Sequence, residues 1–354
     1  DVRDTAENIA DKSGSLGKAE EVFVISGGNA VDVAEAQAIQ GLAGYQTSAS
    51  EYEIEDDSAA IISATDSVLA NGNIHVDVTN TVGASDGAML ASFTADIEFD
   101  VSDTAANLAA QVASGVAQGS GPDSLDEANS VFVESGTPVT AAQAESVQDI
   151  LNYSGGDYDI ADNAANLISA GDHVLNVTGV DVVTVNDAVT GSKVTANDGA
   201  ILAGFTADVE FDVADNVGAL KAEMSKADPA SYLTEANSIT VDNDGLGDRV
   251  VNASDGGILA GFTADVEFDV VDTANLVAAE VAGSGYGSGS LDEANDLVVS
   301  GGDVDTAAAA AIQQISEYNE SGSAYEITDN AAAVISAGDS VIEDLGVTRV
   351  EVTG

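Results

Sequence analysis

The segment FTADVEFDV occupies residues 205–213, recurs unchanged at 262–270, and returns as FTADIEFDV at 93–101. Its alternation decides the fold. In an extended chain Val209, Phe211 and Val213 share one side, while Glu210 and Asp212 share the other. The pattern predicts a strand with one apolar face and one wet face. A unit of this kind can bury its apolar face only against neighbouring units, which is why a chain would restate it.

Strand-like phrases of the same kind begin near residues 22, 52, 74, 97, 131, 158, 182, 209, 238, 266, 297, 325 and 348. Their mean spacing is about 27 residues, the period of a short repeat unit. LDEAN at 125–129 and 291–295, and LTEAN at 233–237, each lead into a strand. Helical pattern follows the strands. In DTAANLAAQVAS, Asp103 reads as an N-cap, and Ala105, Leu108, Ala109 and Val112 form one apolar stripe. The same phrase recurs around Asp4, Asp162, Asp272 and Asp329, and a second helical phrase reads DGAILAGF or DGGILAGF at Asp198 and Asp255. Strand and short helix in alternation predict an α/β fold: a repetitive βα solenoid, with a parallel sheet and short helices on one face. Residues 1–354 read as one continuous array. Both ends look like cuts in a longer array, since DVRDTAENIA at 1–10 matches the back half of FDVSDTAANLA at 99–109.

Composition bounds the partners. Asp and Glu number 62 against 8 Lys and Arg, a formal charge of −54, while 45% of residues are hydrophobic. The apolar content separates the chain from disordered acidic tails. The charge excludes nucleic-acid binding through phosphate neutralisation and disfavours anionic membranes. It favours bulk cations, Ca²⁺ or a basic partner. Cysteine is absent, which removes disulfides, thiolate metal sites and Cys nucleophiles. No apolar run is long enough to insert in a membrane.

Stacked strands would align the outward acids. One outward row alternates acids with other residues, placing like charges about 9.6 Å apart, near the Debye length in physiological salt. In a second row acids abut. Carboxylates of adjacent strands there, Asp77 with Asp100, Asp242 with Asp269, and Asp212 beside them, are the candidate Ca²⁺ ligands, because calcium takes several hard oxygens. The Gly/Asp loops GVAQGSGPDS (115–124) and GSGYGSGS (283–290) lack the GGxGxDxUx nonapeptide, and no EF-hand loop is present; they read as surface connections. His75, on the outward strand face, and His173, in a helix-to-strand loop, read as surface histidines. No G-x-S-x-G, P-loop, HExxH or dinucleotide fingerprint occurs. Carboxylates that recur unit after unit differ from a singular catalytic pair in one cleft, so no enzymatic activity is expected.

VSDTAANLAA at 101–110, with VTAAQAESVQDI at 139–150, resembles the tandem V-x-D-T-A-x-N-L repeats of very large secreted bacterial surface proteins. The likeness covers about half the chain. Such proteins often travel by type I secretion alongside calcium-binding modules. The resemblance implies a secreted, extracellular or cell-surface structural role, as a rod, surface layer, biofilm matrix or self-associating filament. An adhesin stretch that binds a glycan or receptor is the alternative, for which Phe132, Tyr232 and Tyr286 are the aromatic candidates. The family supplies no catalytic residues.

Overall fold

A computed structural model describes residues 1–118, 125–224, 226, 235–245, 247–261, 265–283 and 291–354. Tyr232, Tyr286 and most of the two Gly/Asp loops lie outside the described residues. The protein is α/β, with several short parallel sheets and short helices, and no closed barrel among the described residues. The chain divides into two compact units, Asp1–Ala161 with Asp172–Val182, and Asp162–Gly171 with Val183–Gly354.

Strands pair in parallel along the chain, some with the strand that directly follows and others with one strand passed over. In the first unit Glu51–Asp56 pairs with Asn73–Val78, which pairs with Ile97–Glu98. Asp100–Thr104 pairs with Ser130–Glu134, which pairs with Tyr153–Gly156. The second unit repeats the arrangement with Lys193–Val194, Asp212–Asp215, Ser238–Val241 and Val266–Glu267. Val250–Val251, Asp269–Asp272 and Asp296–Val299 follow, then Asp303–Val304, Tyr325–Asn330 and Val347–Thr353. All these ladders are parallel. Single valines open successive sheets at Val31, Val82 and Val139.

The strand phrases are not single strands. Ile97 and Glu98 belong to one sheet, and Asp100–Thr104 to the next. The break falls at Phe99, and its counterparts fall at Phe211 and Phe268. The inward side chains on both sides of the break stay buried: Val209, Phe211 and Val213 are at most 4% exposed. At each break the phenylalanine carbonyl is taken by the Asn of the (L)DEAN or (L)TEAN phrase. Asn129, Asn237 and Asn295 donate their N–H groups to Phe99, Phe211 and Phe268, each at 2.8 Å.

The DG helices explain the phenylalanine. Gly87, Gly199 and Gly256 sit in helices Ala84–Leu90, Ala196–Leu202 and Ala253–Leu259. A Cβ at Gly199 would lie 2.9 Å from Val213 Cγ2 and 3.1 Å from Phe211 Cε2, and Gly87 and Gly256 are as tightly covered by Val101 and Val270. Each helix therefore rests backbone-first on the F-D-V portion of its strand.

The conserved spacing of D-T and D-N pairs has a different role from the expected one. Asp103 is not the cap of helix Ala105–Gln118; Thr104 is, accepting the Asn107 N–H at 3.3 Å. Asp103 lies in the strand and links the start of the preceding helix to the start of the next. Its Oδ2 accepts the Ala84 N–H, the first residue of the preceding helix, at 3.0 Å, and its Oδ1 accepts from Thr104 at 2.8 Å and Asn107 at 2.7 Å. Asp56 holds Val33 and Asp57 in the same way. So do Asp215 with Ala196 and Asn216, Asp272 with Ala253 and Thr273, and Asp329 with Thr306 and Asn330. Helix N-termini carry unpaired N–H groups and partial positive charge, so a carboxylate shared between two of them is well placed. Of the expected stripe, Ala105, Leu108 and Ala109 are buried, and Val112 is half-buried.

Candidate functional site

Three neighbouring strands of the first unit gather acids around one imidazole. The register sets Glu53 opposite His75 and Glu55 opposite Asp77. Because the next strand is broken at Phe99, Asp77 faces Glu98 rather than Asp100. His75 Nε2 lies 3.2 Å from Asp77 Oδ1 and 3.3 Å from Glu98 Oε1. Donor atoms of Glu53, His75 and Asp77 all fall within 4.8 Å of one another. The Glu53 carboxyl is held above its usual range, first by a hydrogen bond with Asp77, then by desolvation and by the Asp77 charge. One proton or one cation between the two carboxyls relieves that repulsion. Beside the cluster lies a cleft of about 350 Å³ whose lining includes Glu51, Glu53, His75, Tyr52, Ile25 and Ile74.

The donor set is chemically specific. Carboxylate oxygens alone suit calcium, which takes six to eight oxygens. An imidazole nitrogen among carboxylates suits borderline transition cations as well. His75 is thus the centre of a charged cluster, not an isolated surface histidine. His173 lies within the short helix Asp172–Leu175, not in a loop, and is exposed.

The remaining candidate ligands are dispersed. Asp100 stands opposite Ser130, whose hydroxyl donates to it at 2.5 Å. Asp212 accepts from the hydroxyls of Ser192 and Ser238, and Lys193 is its register neighbour. Asp242 does not meet Asp269. Its carboxylate closes a turn by accepting the Gly247 N–H at 3.0 Å, which with further turn amides holds it below the usual range. Asp269 lies between Val250 and Asp296. Burial, and then the Asp296 charge, raise its carboxyl. Phe132 is 44% exposed on the outward face, opposite Ser102. No helix among the described residues is long and apolar enough to cross a membrane.

No protein-family model matches the chain, and no curated protein matches it.

Glu98 was missed as the neighbour of Asp77 because counting outward positions from phrase to phrase assumes unbroken strands, whereas the strand breaks at Phe99 and Asp100 passes to the next sheet. Glu53 and His75 stand opposite each other as the alternation predicts, in the row where acids alternate with other residues and no ligand was expected.

Proposed function

We propose that this chain is a structural segment of a secreted cell-surface repeat protein, a βα solenoid of about 27-residue coils that self-associates into a surface layer, matrix or filament. The observation that carries the reading is the recurrence of one coil-to-coil device. Among the described residues the same aspartate bridge recurs at Asp56, Asp103, Asp215, Asp272 and Asp329. Repetition of a joint is what a stacked scaffold requires, whereas catalysis asks for one distinctive constellation. The acids facing solvent are screened by cations, calcium among them, with Glu53, His75 and Asp77 as the best-formed cation ligands and Asp100, Asp212, Asp242 and Asp269 as dispersed contributors.

Cell fractionation and electron microscopy of the native material test this reading. Ordered layers or filaments at the cell surface support it, and a dispersed monomer confined to the cytosol refutes it. The alternative, an adhesin stretch, is favoured by the cleft of about 350 Å³ beside Glu53 and His75. Saturable binding of a glycan or basic ligand, lost on His75→Ala, would favour that reading. Equilibrium dialysis with Ca²⁺ and with Zn²⁺ tests the cation: bound metal that falls on Glu53→Gln supports the assignment, and no bound metal at millimolar concentration contradicts it.

A further inference from the structure

Four Asn-x-Ser/Thr triplets occur in the chain: Asn152–Tyr153–Ser154, Asn176–Val177–Thr178, Asn252–Ala253–Ser254 and Asn319–Glu320–Ser321. The triplet is the acceptor pattern for N-linked oligosaccharides and is meaningful only on an accessible loop of an exported protein. Three of the four are occupied by the fold. The Asn152 amide donates to the carbonyls of Asp126 and Ala128. Asn252 caps a helix, donating to Asp255 Oδ2 and accepting the Asp255 N–H, and Ser254 is already inside that helix. Asn319 donates to Asp296 and accepts from Ser321 and Gly322.

Asn176 differs in each respect. It sits in the turn between helix Asp172–Leu175 and strand Val180–Val185. Asn176 and Thr178 are both exposed, and among the described residues no hydrogen bond holds either side chain. The turn is fixed by backbone bonds alone, Asn176 N–H to Asp172 O and Val180 N–H to Val177 O. Gly179, at φ 104°, turns the chain away behind it.

We propose that Asn176 is the acceptor site of this chain for an N-linked oligosaccharide. The donor class is an oligosaccharide on a lipid diphosphate. The Asn176 amide nitrogen forms the new bond to the anomeric carbon. The bond from that carbon to the diphosphate oxygen breaks, the lipid diphosphate leaves with the electron pair, and the amide gives up one proton to a base of the transferase. Thr178 supplies the hydroxyl that the transferase recognises. The inference rests on the surface reading above, because the transfer takes place outside the cytosol.

The test is transfer to the purified, folded chain by an oligosaccharyltransferase with its lipid-linked donor, read by intact mass and peptide mapping. The expected result is a mass increase of one oligosaccharide, mapped to Asn176. It is lost in Asn176→Gln and in Thr178→Ala, and kept in Asn152→Gln. A folded chain that stays unmodified while the heat-unfolded chain accepts glycan overturns the proposal, as does transfer to Asn152, Asn252 or Asn319 in place of Asn176. Cell fractionation is a separate arm. A cytosolic chain whose Asn176 accepts glycan in the purified reaction sinks the surface reading and leaves the acceptor assignment standing.

Discussion

A single carboxylate at the end of a strand does more here than a helix cap. Asp103 is partly desolvated, which pulls its pKa up, yet bonds from Asn107, Ala84 and Thr104 outweigh this and hold it below the usual value. Asp329 is also lowered, through Thr306 and Asn330. Removing Asp103 leaves the Ala84 and Thr104 N–H groups without their shared acceptor, while Thr104 still caps helix Ala105–Gln118. Asp103→Ala is expected to cost about 2 kcal/mol, more than the ~1 kcal/mol of a lost cap, because the bonds are charge-assisted; chemical denaturation measures it. The pH sign follows from the lowered values. A carboxyl with a depressed folded pKa contributes stability above its unfolded value of 3.8, and that stability is lost as pH falls through the folded value. The Asp103 and Asp329 bridges therefore loosen below pH 3.8, and Asp103→Ala should flatten the acid limb of the melting curve. At the break in each strand, Phe211 is fully buried, and Phe211→Ala should cost about 3–5 kcal/mol; an unchanged midpoint would contradict its place in the core.

Helix and strand are coupled through glycine, and the sign of a substitution exposes the coupling. In an open helix, Gly to Ala stabilises by up to about 1 kcal/mol. Gly14, in helix Ala6–Leu16, has nothing within 4 Å of an added Cβ, so Gly14→Ala should raise the melting point. Gly199 has Val213 and Phe211 against it. Gly199→Ala should lower the melting point, with an overpacking cost of about 1–3 kcal/mol against the propensity gain. Opposite shifts for the two variants confirm the backbone-first contact. At this scale the sequence was partly legible. Alternation in VEFDV placed Val209, Phe211 and Val213 inside, because period two reports faces directly. It could not reveal that the strand changes sheets at Phe211, since alternation says which face a residue takes and nothing of which neighbour it pairs with. The aspartate bridge was misread as a cap because Thr and Asn, the true caps, follow it immediately, and its second partner lies 19 residues upstream in Asp103, Asp215 and Asp272. The place of Glu98 beside Asp77 was hidden for the reason already given at Phe99. The half-buried Gln–Tyr links, Gln40 to Tyr52, Gln148 to Tyr158 and Gln313 to Tyr325, join single polar side chains across a turn of chain, and hydrophobic alternation does not report such pairs.

A chain carrying −54 charges folds against its own repulsion. Among the described residues few of the acids meet a Lys or Arg: Arg349 bridges Glu326 and Glu351, Arg249 reaches Glu267, Lys221 reaches Asp255 and Lys226 reaches Glu223. Added salt screens the rest over about 10 Å at 0.1 M. The melting point should therefore climb with NaCl in low-salt buffer, and a flat response would contradict the role given to repulsion. Lowering the pH toward about 4–5 removes charge before the lowered carboxyls of Asp103 and Asp329 protonate, so stability should pass through a maximum there and fall below it. What joins coil to coil, on this account, is the carboxylate shared between successive helix N-termini. The most direct test is amide hydrogen exchange, resolved by residue, in the native chain and in Asp103→Ala. Exchange should quicken in helix Ala84–Leu90 of the preceding coil as well as at the start of helix Ala105–Gln118. Quickening confined to the residues after Asp103, with Ala84 unchanged, would contradict it.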